Sequence, residues 1–406
     1  MISKTYCPLP FNHLYIHPNN KASVCCGFQK LEEKLPFIQE YDNLSDHLKH
    51  PFMKDIQQKM LKGEKIKGCA TCYYAEEHGY KSMRQKELET WHDGNFIPPI
   101  TDNPKLEYLE VTFGNYCNLA CRTCGSDLSH SWIKDEIMLR ENDVSNAFAI
   151  TRMDIDREWQ DDDLKDLQYL KITGGEPMLH PDFPKFISKL DQKNIEIFIF
   201  TNASWVPKKR ILDMLYEFKH CAVFVSIDGI GTIQEYMRHN SIWDTTEKSV
   251  TKWLEFMKGN HHLSIAWAPT WSLMNASNYI DICNWWLNIT DEVLDYESSK
   301  CGLFPTNFLY WPKHYQMGLL SNKDELKAKA EEYINELKAN THYTKKILER
   351  IIEMTEAYIK FFNNDTNKHI HDLETYYKVT GLLDKSRNQS LKEMIPLAYE
   401  SMYNRV

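Results

Sequence analysis

From residue 101 to about residue 312 the chain alternates short apolar runs with longer amphipathic stretches, and this alternation constrains the fold more than any other feature. The runs are Leu106 to Thr112, Gln168 to Thr173, Ile195 to Thr201, Ala222 to Ile227, Leu263 to Ala268 and Phe304 to Trp311. They have strand length and are rich in β-branched and aromatic residues. Helical stretches lie between them, at Asp182 to Asp191, Pro207 to Phe218, Thr245 to Lys258 and Asn275 to Leu287. Strands joined by helices pair in parallel, because each connection must return the chain to the start of the next strand. The expectation is an α/β fold with functional groups at the C-terminal strand ends.

Directly after the first run stands Gly114-Asn115-Tyr116-Cys117-Asn118-Leu119-Ala120-Cys121-Arg122-Thr123-Cys124, with cysteines spaced C-x3-C-x2-C. Three thiolates can hold three corners of a [4Fe-4S] cube, and no fourth cysteine follows at matching spacing. One iron of such a cluster would stay open to a ligand. A zinc knuckle and a loop of unligated thiols are the competing readings of the spacing alone. The second run ends in Thr173-Gly174-Gly175-Glu176-Pro177, where two glycines let the backbone approach a ligand closely. The third ends in Thr201-Asn202-Ala203 and the fourth in Ser226-Ile227-Asp228-Gly229, with Arg238 about ten residues on. Each of these turns also has a plain reading as strand-end turn chemistry.

In this order, the motifs resemble those of the radical S-adenosylmethionine (SAM) superfamily. The resemblance implies a partial (β/α)6 TIM-like barrel and a [4Fe-4S] cluster on Cys117, Cys121 and Cys124. SAM would chelate the open iron and be cleaved to a 5′-deoxyadenosyl radical that abstracts a substrate hydrogen. It further implies that Gly174, Gly175 and Glu176 receive the SAM ammonium and that Asn202 sits at the family's TNG turn, here with Ala203 for Gly. Ser226 is the first choice for a ribose contact and Asp228 the second, with Arg238 for the SAM carboxylate. Trp267 to Thr270 would line the adenosine pocket. Phe308 to Pro312 is a weaker candidate for an edge toward adenine, because aromatics at strand spacing are usually core. A reductant such as flavodoxin or ferredoxin is the implied electron source.

Residues 1–100 carry a second set of thiols. Phe11 to His17 alternates like a half-buried strand, Pro18-Asn19-Asn20 supplies a turn, and Lys21 to Cys26 completes a hairpin that brings Cys7 and Cys25 to one end. A helix is expected from Leu44 to Met60, followed by the Cys69-Ala70-Thr71-Cys72 pair. Cys7, Cys25, Cys69 and Cys72 make a closed four-thiolate set, with Cys26 able to exchange with Cys25. On spacing alone structural zinc rivals an iron–sulfur cluster here. The segment resembles the SPASM/twitch module, which implies an auxiliary [4Fe-4S] or [2Fe-2S] cluster. It departs from that pattern in having Asn20 for Gly and in preceding the barrel. Arg84, near the start of the next helix, reads as a surface or interdomain salt-bridge residue.

Residues 313–406 form a helical extension, expected over Asn322 to Leu337, Lys345 to Phe362 and Ser386 to Met402. The domain expectation is therefore 1–100 auxiliary module, 101–312 barrel and 313–406 extension. Of eleven cysteines, eight precede residue 125, and such tight spacing argues for metal ligation over a disulfide framework. Cys221, Cys283 and Cys301 stand apart and read as ordinary buried cysteines. The formal net charge of −9 disfavours nucleic acid as the main partner. No apolar run approaches the roughly 20 residues needed to span a bilayer, and Met1-Ile2-Ser3-Lys4 lacks the apolar segment of an export signal. A soluble, cytoplasmic protein is expected. By resemblance the substrate is a peptide or protein side chain. The alternatives are a small metabolite (nucleoside, sugar or amino acid), or a zinc or Fe–S interaction protein without catalysis.

Overall fold

The computed structural model describes residues 3–29, 35–77, 81–92, 103–144, 151–155, 159–293, 300–303, 307–309, 311–364 and 370–403. In chain order the strands are β1 His13–Ile16, β2 Ala22–Ser23, β3 Tyr108–Thr112, β4 Ala120–Cys121, β5 Tyr169–Thr173, β6 Glu196–Thr201, β7 His220–Val225, β8 Arg238–His239, β9 Leu263–Trp267, β10 Thr270–Trp271, β11 Lys300–Leu303 and β12 Asn307–Phe308. The chain divides into two compact units, residues 1–115 with 153–198 and residues 116–152 with 199–406, so that β6 contributes to both.

In the first unit the strand order is β2-β1-β3-β5-β6. β1 pairs in parallel with β3 from His13↔Tyr108 to Ile16↔Val111, and β3 pairs in parallel with β5 from Tyr108↔Tyr169 to Thr112↔Thr173. The hairpin is real, with β1 and β2 antiparallel at Tyr15↔Ser23, but it is shorter than expected. Phe11 and Asn12 belong to a short helix, Leu9–Asn12. β1 is buried along its whole length rather than on alternate residues, so both of its faces are covered. The expected Leu44–Met60 helix is two elements, a 3-10 segment Leu44–Lys49 and the helix Pro51–Leu61. Pro51 explains the break: it pushes the preceding residue out of helical geometry, and His50 has φ −57°, ψ 140°.

In the second unit the order is β6-β7-β9-β11, with β7–β9 and β9–β11 parallel. The last barrel strand is Lys300–Leu303, not Phe304 to Trp311. Within that expected run, Asn307–Phe308 instead pairs with Thr270–Trp271 in a separate two-stranded piece, and Trp311 is 75% exposed. Residues 304–306 and 310 lie outside the described residues, as does the side chain of Cys301. Cys221 and Cys283 are buried as expected. Helices Lys209–Tyr216, Trp243–Met257 and Tyr279–Val293 alternate with the strands. They pack over a core containing Trp253, Trp267, Trp271 and Trp286, all fully buried.

Parallel sheets are usually covered on both faces. Here β5 and β6 alternate between half-buried and buried residues, and β9 alternates in the opposite phase. On β5, in the first unit, one face is thus sealed while the other stays partly accessible.

The extension begins as expected, with helices Lys323–Ala339 and Lys345–Asn364. Beyond them the single helix expected over Ser386 to Met402 is replaced by Leu391–Met394 and Pro396–Tyr403, preceded by an unanticipated helix at Ile370–Arg387. Pro396 accounts for the break before the last helix. Among the described residues, no helix is long and apolar enough to cross a membrane.

Candidate active site

In the second unit, Cys117 is buried while Cys121 and Cys124 are half-buried. The loop is held at several points. β4 pairs antiparallel with β8, placing Cys121 opposite Arg238. The Arg122 amide donates to the Met237 carbonyl at 2.7 Å, the Trp132 indole N–H donates to the Cys121 carbonyl at 2.7 Å, and the Cys117 amide donates to His130 Nδ1 at 3.1 Å. Burial pushes the Cys124 thiol well up, with Cys121 and Cys117 next among the causes. The three thiols therefore share one electrostatic neighbourhood. Burial also raises Cys121, and Arg238 opposes that rise.

Arg238 is buried, not a surface residue. Its Nε donates to Asp228 Oδ2 at 2.8 Å and its Nη1 lies 3.9 Å from Cys121 Sγ. Asp228 is fully buried, and its other oxygen accepts from the Thr270 amide at 2.9 Å. Both of its carboxylate oxygens are thus engaged inside the protein, and through one of them Asp228 orients Arg238. Ser226 is half-buried just beyond β7. Asn202 Nδ2 lies 3.7 Å from Cys117 Sγ and donates to Asn118 Oδ1 at 3.0 Å. Ala203 follows with φ +51°, a left-handed conformation that a glycine would adopt at less cost. Trp267 is fully buried, its indole N–H bonded to the Ile227 carbonyl at 2.8 Å.

The glycine turn belongs to the first unit. Gly174 and Gly175 have φ +76° and +56°. A Cβ on Gly174 would stand 1.9 Å from Thr112 Cγ2, so no larger residue fits as the strands stand. Thr112 Oγ1 is shared with Tyr15 OH at 3.1 Å and Thr173 Oγ1 at 3.2 Å. Glu176 is fully buried.

The first unit also gathers the N-terminal thiols. Burial raises Cys7 and Cys25 most, and both feel Cys69 and Cys72; Cys25 also feels Cys7. Burial likewise raises Cys72, opposed next by the backbone amide of Arg84 and, more weakly, that of Met83. These amides open the helix Met83–His92. Cys26 is raised by burial and then by Glu110, and it is the thiol that acts most strongly on Cys25, ahead of Cys7, Cys69 and Cys72. The Arg84 expectation is corrected: it is buried and forms a two-pronged pair with Glu76, at 2.9 and 2.6 Å, inside this unit. Sequence reasoning also missed Glu110, which holds Lys171 at 2.8 Å across β3 and β5. Asn20 does adopt φ +64°. Among the described residues, no group of three or more His, Cys, Asp and Glu stands ready-made around one metal ion. Burial raises the thiols of Cys7, Cys25, Cys69, Cys72, Cys121 and Cys124, and loading a metal would deprotonate its ligands.

A groove of about 790 Å³ lies between helices Trp243–Met257 and Tyr279–Val293, lined among others by Glu247, Lys252, Asn284 and Trp285. It contains none of the cysteines, so the candidate site is defined by the thiols and strand ends.

Fold and site together define a mostly parallel α/β protein with a buried three-cysteine loop after a central strand, backed by an arginine–aspartate pair. Residues 111–265 match the family model described as Radical SAM superfamily. The matched stretch runs from within β3 to within β9. GTP 3′,8-cyclase of Aliarcobacter butzleri is 29% identical over 106 residues, covering 26% of this chain and 29% of the relative. GTP 3′,8-cyclase of Helicobacter pylori strain J99 is 25% identical over 128 residues, covering 32% and 36%. The matches thus span about a third of the relatives' own length. Among solved structures, native anSMEcpe with bound AdoMet has TM-score 0.35 and 13% identity, covering 56% of this chain and 61% of that one. Streptococcus suis SuiB bound to S-adenosylmethionine has TM-score 0.34 and 13% identity, covering 83% and 69%.

Proposed function

We propose that the chain is a radical SAM enzyme that abstracts a hydrogen atom from an organic substrate. The observation that carries this reading is the set of buried Cys117 and half-buried Cys121 and Cys124, with Arg238 and Asn202 nitrogens 3.9 and 3.7 Å from two of the sulfurs. Cys117, Cys121 and Cys124 would hold a [4Fe-4S] cluster, which would supply the electron for reductive cleavage of SAM. The residues supply the setting. Arg238 offsets thiolate charge near Cys121 and is the candidate for the SAM carboxylate, with Asp228 fixing its plane. Asn202 donates toward Cys117, and hydrogen bonding to sulfur tunes cluster potential. Gly174 and Gly175 expose backbone for the SAM ammonium together with Glu176, and Ser226 is the candidate for a ribose hydroxyl. The electron comes from a reductant such as flavodoxin or ferredoxin.

Cys7, Cys25, Cys69 and Cys72 are the ligands of an auxiliary Fe–S cluster in this reading. Support comes from their shared electrostatic neighbourhood and the helix-start amides at Cys72, since such amides favour a thiolate. This twitch-like set favours a peptide or protein side chain as substrate. A second reading, a small metabolite, is favoured by the name GTP 3′,8-cyclase carried by the relatives above.

Metal analysis of anaerobically reconstituted protein tests the site assignment. The expected result is about eight irons and matching sulfide per chain for two cubanes, or about six with a [2Fe-2S] auxiliary site. Four irons with one zinc would overturn the auxiliary-cluster assignment, and zinc without iron would overturn both. Incubation with a candidate peptide, if a neighbouring gene encodes one, then with GTP, separates the substrate readings by which becomes modified.

A further inference from the structure

The extension reaches the cysteine loop through charges buried inside the second unit. Arg122 lies between Cys121 and Cys124, and its side chain is fully buried. Its Nη2 donates to Asp384 Oδ1 at 2.5 Å and to Gln389 Oε1 at 3.1 Å. Its Nε donates to the Tyr236 carbonyl at 3.1 Å, and the guanidinium sits 3.7 Å over the Tyr236 ring. Asp384 also accepts from Tyr236 OH at 2.9 Å and, on its other oxygen, from the Leu391 amide at 3.2 Å. One helical turn on, Arg387 Nε donates to Asp135 Oδ2 at 3.0 Å while Ser386 Oγ donates to Asp135 Oδ1 at 2.9 Å. The Arg387 guanidinium covers the Trp132 ring at 4.7 Å. That same Trp132 holds the Cys121 carbonyl.

We propose that the helix Ile370–Arg387 clamps the cysteine loop, with Asp384 and Arg387 as positioning residues that set where the Cys121 and Cys124 sulfurs stand. The inference rests on the reading of these cysteines as cluster ligands. Residues 384 and 387 share one helix face and grip the loop by two routes. Asp384 acts through the side chain next to Cys121, and Arg387 acts through the indole on the Cys121 carbonyl. Surface attachment of a helix would not need buried charge, because apolar packing achieves it without desolvating ions. Tyr376, Val379 and Leu383 of this helix already provide such packing. The charged contacts instead specify one loop geometry, as groups behind metal ligands do elsewhere.

The test uses the full chain, reconstituted anaerobically, as wild type, Asp384→Asn, Arg387→Lys and Lys378→Ala. Lys378, exposed on the same helix, binds the Asn142 carbonyl at 2.6 Å, beyond the cysteine loop. Readouts are iron release to a chelator, the electron paramagnetic resonance change on adding SAM, and thermal unfolding. Release from the SAM-responsive cluster should be roughly tenfold faster in Asp384→Asn and Arg387→Lys, a cost in the range seen when groups behind metal ligands are removed. The resonance should broaden in both, while Lys378→Ala matches wild type. Wild-type release and line shape in both clamp variants overturn the proposal, as does an equal change in all three. If Asp384→Asn does not fold, Arg387→Lys decides. Wild-type protein that loads no SAM-responsive cluster overturns the ligand reading itself, which is a separate outcome.

Discussion

Gly174→Ala is the substitution whose cost follows most directly from the structure. At φ +76° an alanine pays about 1–2 kcal/mol for the left-handed backbone. Its Cβ would stand 1.9 Å from Thr112 Cγ2, 3.0 Å from Thr112 Cβ and 3.3 Å from Thr112 Oγ1. Thr112 is buried and holds hydroxyl contacts with Tyr15 and Thr173, so it has little room to yield. Overpacking of this kind costs about 1–3 kcal/mol, giving a total of roughly 2–5 kcal/mol. Thr112→Ser removes the clashing methyl and keeps the hydroxyl. Added to Gly174→Ala, it should recover the larger part of the packing cost and none of the backbone cost. Urea unfolding of wild type, both single variants and the double variant measures the coupling. Additive effects would refute the steric account, as would a Gly174→Ala loss below about 0.5 kcal/mol, the scale of an ordinary surface change.

Two further outcomes are expected. Asp228→Asn leaves Arg238 buried without its counter-charge, which should cost about 3–5 kcal/mol and raise the KM for SAM through a misaimed guanidinium. Unchanged unfolding and KM would show that the 2.8 Å contact contributes nothing. The second concerns pH. Burial pushes His47 down to about 3 from 6.5, with His13 and His50 acting in the same direction. Between these values the unfolded chain binds a proton that the folded chain refuses, so stability should fall by up to about 1.4 kcal/mol per pH unit on acidification below 6.5. Urea midpoints at pH about 7.5 and about 5 should differ in wild type and differ less in His47→Gln. An equal slope in the variant would assign the effect elsewhere.

The β/α alternation was readable because each run carries its own local signal, and the strands from Leu106 to Ala268 lie within a residue or two of their expected places. The last strand was displaced because Phe304 to Trp311 is apolar enough to mimic one, whereas Lys300-Cys301-Gly302-Leu303 is too short and mixed to announce itself. The helix Ile370–Arg387 was missed for a related reason. Tyr376, Val379 and Leu383 are buried on one face, but Asp384 and Arg387 face protein as well, so polar residues interrupt the apolar stripe that marks a packed helix. The cysteines and strand-end turns stood out because their chemistry sits in short contiguous motifs. Arg122 with Asp384 did not, since partners 262 residues apart leave no pattern in a single sequence. Asp228 was visible as a residue while its pairing with Arg238 was not, because spacing cannot tell a ligand contact from an internal partner.

The central claim is that Cys117, Cys121 and Cys124 hold a cluster that makes this chain a radical SAM enzyme. Chromatographic quantification of 5′-deoxyadenosine from anaerobically reconstituted protein, with dithionite and SAM, tests it most directly. The account predicts release by wild type and none above background by Cys121→Ala, even though that variant keeps the four N-terminal cysteines. Release by Cys121→Ala at the wild-type rate, or none from wild type carrying its full complement of iron, would contradict it.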